Sequence, residues 1–402
     1  MMRKYGAVMR KCVLSSLVAL CLLASCSQTK SPTAQQEAMS QWNYARAAVL
    51  VGLSQDQYQN GNFDKSRSTL DEAIKLEPDS AAAHVLSAKL YIENGQLELA
   101  ERELTVARQA DPKCAEADYL SGVVYQRWQQ PEKALVFYQD ACDKAPAELA
   151  YVMARAEMLV AMDRPDEALA LLQAKINYFE HSGAIRDEVG LLLVQKGNYP
   201  QAIEMFRRAS ILSPDDLTIR EHLATALFDG RQYAESAGIL AGLLAEPKYD
   251  HRPELLMMLG ECQLQTDNAG DAAQSFQQAS DMQADSAAAW LGLARAEVQL
   301  GNTRRAEYAL NHCLAISDEN AQAYLLLGYL HLRQSRFSES RDDFAHASRL
   351  DPADTESLCM FGLALDKLGQ TRDAAACYQK ALKIHPDDEL ASRLLARLDQ
   401  GQ

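Results

Sequence analysis

The chain predicts an all-α solenoid, on three observations: a fixed 34-residue period, two helical patterns in each period, and small residues where those helices would touch. A period of 20–50 residues means stacked units, none of which buries its core face alone. With Ala47 as position 1, position 24 is Leu70, Leu104, Tyr138, Leu172 and Phe206, then Leu240, Phe276, Leu310, Phe344 and Tyr378. All ten are large and apolar. The frame slips once, by two residues, in the sixth unit (Leu217 to Arg252). Ten units thus occupy residues 47–388 of 402, and each is expected to contact only its neighbours.

Ahead of the repeats, Arg3, Lys4, Arg10 and Lys11 give a basic start and Val13 to Leu23 runs largely apolar. That run is far short of the roughly 20 residues a membrane-spanning helix needs, so residues 1–25 read as a secretory signal. It closes on Leu23-Ala24-Ser25-Cys26, which resembles a bacterial lipobox. The resemblance implies acylation of Cys26 and a new N-terminus there; the alternative is an ordinary signal cut at a small residue. Ser27 follows where Asp would resemble an inner-membrane retention signal, which favours the periplasmic face of the outer membrane. Residues 26–32 form a short polar tether. Thr33 and Gln36 form a capping box that starts a helix after Pro32, so 33–46 is an N-terminal helical extension. Trp42 and Tyr44 on it either touch lipid headgroups or cover the exposed end of the first repeat.

Within each unit, two helical patterns flank a turn, as at Asn94-Gly95 and Leu300-Gly301-Asn302. Gly suits the left-handed conformation that ends the first helix. Position 8 is small (Ala88, Gly122, Ala156, Gly190), and positions 20 and 27 are mostly alanine. Helices approach closely only where neither presents a bulky side chain. Proline at position 32 (Pro78, Pro112, Pro146, Pro214, Pro352, Pro386) ends the second helix. This frame resembles the tetratricopeptide repeat, which implies a right-handed superhelical solenoid of about ten helix-turn-helix repeats. Two units depart from it. The fourth has Lys175 at position 27 and no proline before His181; the sixth ends in Glu246–Pro253, a candidate bend between repeats 1–6 (residues 47–252) and repeats 7–10 (253–388). Residues 389–402, with Leu390, Leu394, Leu395 and Leu398, read as an amphipathic C-terminal capping helix.

Chemistry-bearing motifs are sparse. The eight histidines are scattered singly, without metal-ligand spacing, and no phosphate loop or nucleophile turn occurs. No cofactor, metal or catalytic residue is expected, and an enzyme is the weakest of three function classes. His84 and His331 fall where packed residues belong. Net charge is −15, and removing residues 1–25, with four basic residues and no acid, leaves −19. Such a surface repels phosphate backbones, so nucleic acid is excluded as a partner. Six cysteines follow Cys26; Cys262 and Cys313 read as small core residues, and a Cys114–Cys142 bridge is conceivable in an oxidising compartment.

The resemblance also implies a binding face, since first helices of the family line a concave groove through positions 2, 5, 9, 12 and 13. Carried over, those positions give Tyr58, Ile92, Tyr119, Val123, Met153 and Leu191. Further along they give Phe228, Met257, Leu264, Leu291, Arg295, Tyr329 and Leu332. Some of these pack between neighbouring helices, and Met257 and Tyr329 are open between wall and groove. The face is apolar with glutamine and mixed charge, which fits proteins or peptide segments with hydrophobic anchors. The resulting expectation is a lipid-anchored periplasmic adaptor for envelope assembly, secretion or pilus biogenesis. The alternative is a self-assembling structural component.

Overall fold

The computed structural model describes residues 33–399; the expected export signal, Cys26 and the expected tether lie outside the described residues, as do 400–402. Among the described residues there are twenty-one α-helices, one 3-10 turn and no strand. The chain divides into two compact units, the first ending at Leu172 and the second beginning at Gln173. The first holds α1 (Ala34–Gln59), α2 (Phe63–Leu76), α3 (Ala81–Glu93), α4 (Leu97–Ala110), α5 (Ala115–Arg127), α6 (Pro131–Lys144), α7 (Leu149–Ala161) and most of α8 (Pro165–Lys175). The second begins its helix pairs with α9 (Gly183–Gln195), α10 (Tyr199–Leu212), α11 (Leu217–Asp229) and α12 (Tyr233–Leu244). After the 3-10 turn Pro247–Tyr249 come α13 (Pro253–Gln265), α14 (Ala269–Met282), α15 (Ala287–Gln299) and α16 (Thr303–Ile316). It ends with α17 (Ala321–Arg333), α18 (Phe337–Leu350), α19 (Thr355–Lys367), α20 (Thr371–Ile384) and α21 (Glu389–Asp399). Odd-numbered helices up to α19 are the first helices of ten repeats and even-numbered ones the second.

The ten position-24 side chains are buried, from Leu70 to Tyr378, each against its own repeat's first helix. The packing there is size-matched. Where position 24 is aromatic, position 8 is glycine: Gly122 with Tyr138, Gly190 with Phe206, Gly260 with Phe276, Gly328 with Phe344 and Gly362 with Tyr378. A Cβ at any of these glycines would stand 2.5–2.8 Å from a ring carbon. Where position 24 is leucine, position 8 is alanine or, in the first repeat, serine. Position-20 serines are satisfied by the same contact: Ser236 donates to the Ala224 carbonyl and Ser340 to that of Gly328, at 2.8 and 2.9 Å.

All ten intra-repeat turns place position 15 in the left-handed region. Five use glycine, among them Gly95 and Gly301; the others use Gln129, Asp163, Arg231, Asp267 and Ser335, which carry the Cβ strain of that conformation. The Thr33–Gln36 capping box opens α1 with both hydrogen bonds made.

α1 runs unbroken from Ala34 through the extension into the first repeat, since nothing between Tyr44 and Val49 breaks a helix. Trp42 and Tyr44 do not close over the first repeat: 64% and 66% of their surface stands exposed. The sixth-repeat insertion is a packed joint. Tyr249 is buried among Ala224, Leu240, Leu243, Leu255, Leu259 and Cys262, so one core passes from α11 and α12 to α13. The two extra residues are absorbed by the 3-10 turn that delivers this ring. Between the two departures from the frame, the division into units falls in the fourth repeat. The six cysteines after Cys26 form no disulfide. α21 buries Ala391 and Leu394 against the last repeat.

Candidate protein-binding face

Except in the sixth repeat, first helices are the more apolar of each pair, because one face packs on the partner helix and another on the neighbouring repeats. Their remaining face is where the sequence places a groove. Tyr119, Val123, Met153, Phe228, Met257, Leu291, Tyr329, Leu332 and Tyr58 are half-buried there, and Leu191 is exposed. Each is thus part wall and part surface. Ile92 and Leu264 are corrections: with 5% and 8% of their surface exposed they belong to the core. Both sit at position 12, where the helix turns toward the next repeat, so Ile92 packs with Leu104, Leu120 and Val124.

The charges on this face form a ladder between repeats. In the first unit, Tyr58 donates to Glu93 at 3.2 Å, Lys89 pairs with Glu116 at 2.6 Å, and Arg127 donates to the Ile92 carbonyl at 3.0 Å. In the second, His222 meets Asp187 at 2.9 Å and Arg252 meets Glu221 at 2.7 Å. Arg295 holds Glu261 through two bonds, of 2.6 and 3.2 Å. Tyr329 donates to Glu356 at 2.6 Å. Arg295 is therefore engaged inside the protein, and a role in gripping a partner's charge does not follow from its position.

The ionisations agree with that geometry. Burial pushes the Glu261 carboxyl up, but hydrogen bonds from Arg295 and Gln265 outweigh it and leave the pKa below the ordinary range. The Tyr329 hydroxyl is held far above its usual value by burial and by its bond to Glu356. Asp187 raises the His222 pKa through their hydrogen bond, against the opposing effect of burial. With several of these charged groups engaged inside the protein, the face offers a partner its half-buried apolar side chains, beside exposed Glu157 and Arg333. The aromatic surface is concentrated in the first unit, where Tyr119 stacks on Tyr151 at 4.8 Å.

His84 and His331 are packed rather than free. His84 spans Glu103 and the Pro78 carbonyl at 2.6 and 2.7 Å; His331 sits between Asp343 at 2.6 Å and Glu307 at 3.3 Å. Among the described residues no cluster of three potential metal ligands occurs. No helix among them is long and apolar enough to cross a membrane.

Paired helices at a 34-residue repeat, small residues at 8, 20 and 27 and a left-handed turn at 15 are the frame of tetratricopeptide repeats. Two tetratricopeptide repeat models match residues 38–122 and 189–251, and a model of the cilia and flagella-associated protein 70 C-terminal domain matches 241–402. Among curated proteins, the chain is 23% identical to anaphase-promoting complex subunit 7 of Arabidopsis thaliana over 266 residues, 65% of this chain and 46% of that protein. It is 22% identical to the BBSome complex member BBS4 of Bos taurus over 218 residues, 54% of this chain and 41% of that one. The chain thus spans less than half the length of these relatives. Among solved structures, a tetratricopeptide repeat protein from Parabacteroides merdae aligns with TM-score 0.47 at 18% identity, covering 62% of this chain and 97% of that one. The Cut9-Hcn1 hetero-tetramer of the APC/C aligns with TM-score 0.44 at 12% identity, covering 88% and 90%.

Proposed function

We propose that this protein is a lipid-anchored scaffold that captures protein segments through hydrophobic anchors on its first-helix face. One observation carries the reading: successive first helices present half-buried apolar side chains while several of their charged neighbours are bonded within the chain. A surface with that pattern favours apolar knobs in an extended or helical segment over an acidic tail. The relatives named above as members of the anaphase-promoting complex and the BBSome support a role inside a larger assembly. Cys26, at the end of a lipobox-like segment, supports anchoring at the periplasmic face of a bacterial outer membrane. Several acyl chains, at about 0.8 kcal/mol per buried methylene, hold a protein firmly where one is marginal. Envelope assembly, secretion or pilus biogenesis is the proposed setting.

Two measurements test this. Leu291→Ser with Tyr329→Ser, in the full chain in its native cell, should abolish a partner crosslink formed by a photoreactive residue at Met257 while helix content stays unchanged. An undiminished crosslink would show that the face does not bind. Metabolic labelling with a fatty acid should mark the chain and be lost in Cys26→Ala; label retained in that variant would sink the anchor.

A further inference from the structure

The outward face of α1 carries a run of exposed large apolar side chains. Met39, Trp42, Val49 and Leu53 are 57%, 64%, 71% and 47% exposed. They fall at a 3-4 spacing interrupted only by Arg46, which is the seam of a helix pair at 3.5 residues per turn. Ala47 and Ser54, the buried residues of α1, lie on a different face, about 100–120° round the helix. A second row follows the first at intervals of seven: Ala38, Ala45 and Gly52, all exposed, with open space where a Gly52 side chain would be. Large and small residues thus run side by side for just over two heptads.

We infer that α1 pairs antiparallel with α1 of a second copy of this chain, across a two-fold axis. The size pattern selects this occupant. Set Trp42 opposite Val49 of the other copy with the helices antiparallel, and Met39 falls against Gly52 and Leu53 against Ala38. Arg46 meets Ala45 and lets its head reach water, and Asp56 comes beside the amide of Gln35. Every large residue faces a small or medium one, so the axes approach closely, and a two-fold contact must be self-complementary in this way. A parallel pair would put Trp42 on Trp42, Arg46 on Arg46 and Gly52 on Gly52. A bilayer surface has no use for the small row. The four apolar side chains expose on the order of 500 Å² per copy, which with their flanks approaches the roughly 800 Å² per partner of a standard interface. The pairing goes beyond the scaffold reading and holds whether or not Cys26 is acylated. It makes the assembly bivalent, so two weak captures on one target would reinforce each other.

Crosslinking tests the register. Full-length chains carrying Trp42→Cys and Val49→Cys, differently tagged, are co-expressed and mildly oxidised in the cell. The expected result is a disulfide-linked heterodimer well above the parent chain's background, with each variant alone staying at background. Gly52→Leu in both chains should cut the yield about tenfold, since the added side chain overpacks the seam. Homodimers from a single variant, an adduct with a different protein, no adduct, or indifference to Gly52→Leu would each overturn the proposal. So would cysteines shielded from a water-soluble maleimide until detergent is added, with no dimer formed, which would put a lipid surface on α1.

Discussion

A phenylalanine at position 24 fits only because position 8 has no side chain, and this coupling gives the sharpest residue-scale prediction. In Gly328→Ala the new Cβ would stand 2.7 Å from the Phe344 ring, an overpacking expected to cost about 1–3 kcal/mol. Phe344→Leu alone leaves a gap. The double variant recreates the alanine–leucine pair of the Ala294–Leu310 repeat, so denaturant titrations of the four proteins should give a coupling of at least ~1 kcal/mol. Additive losses would mean that the two residues do not meet. Phe206→Ala, with nothing to replace a fully buried ring, should cost about 3–5 kcal/mol. His84 supplies a pH prediction. Its pKa is raised, chiefly by the hydrogen bond to Glu103, so its stabilisation is full below the unfolded value near 6.5 and fades as pH rises through the higher folded value. Wild type should lose stability relative to His84→Gln between pH 6 and 9, measured by the denaturation midpoint at each pH. Equal slopes would deny the pair a role.

At the element scale the helices, their caps and their partners were legible in the sequence, because a 34-residue period repeats each signal ten times. The glycine–aromatic match was equally present and is visible only when positions 8 and 24 are compared repeat by repeat. The inter-repeat ladder was half legible. Glu261 and Arg295 stand one period apart, yet nothing in a single repeat says that they meet rather than face a partner. Ile92 and Leu264 were misplaced because position 12 straddles the boundary between groove and core, and one residue's rotation decides it. The joint at Glu246–Pro253 was legible as an insertion but not as a packed one: a proline-flanked, charged stretch reads as a bend, and only the fold shows Tyr249 turned inward under the Arg252 guanidinium, 5.4 Å from its ring. Tyr249→Ala should therefore cost about 3 kcal/mol and uncouple α11–α12 from α13–α14, seen as a split of one unfolding transition into two. A single shifted transition would mean that the core of this joint does not depend on the ring.

Across a whole repeat array, stability is a sum of intrinsic repeat terms and nearest-neighbour interfaces, so damage at an end should spread inward and decay. The second unit offers a clean site for the test, because α21 closes it. Leu394 is buried with Tyr378, Leu358 and Met360, while the polar side of α21 replaces an apolar face that would otherwise meet water. Leu394→Asp places a carboxylate in that contact, and burying an unpaired charge costs more than losing the leucine. The helix should detach rather than accept it. Repeat ten then loses its outer interface and opens by local unfolding, which amide exchange reads directly. Exchange should accelerate strongly in α19 and α20, weakly in α17 and α18, and not at all in α13 and α14. Uniform acceleration throughout the second unit would mean that it unfolds as one cooperative body, and the nearest-neighbour account would fail for this protein.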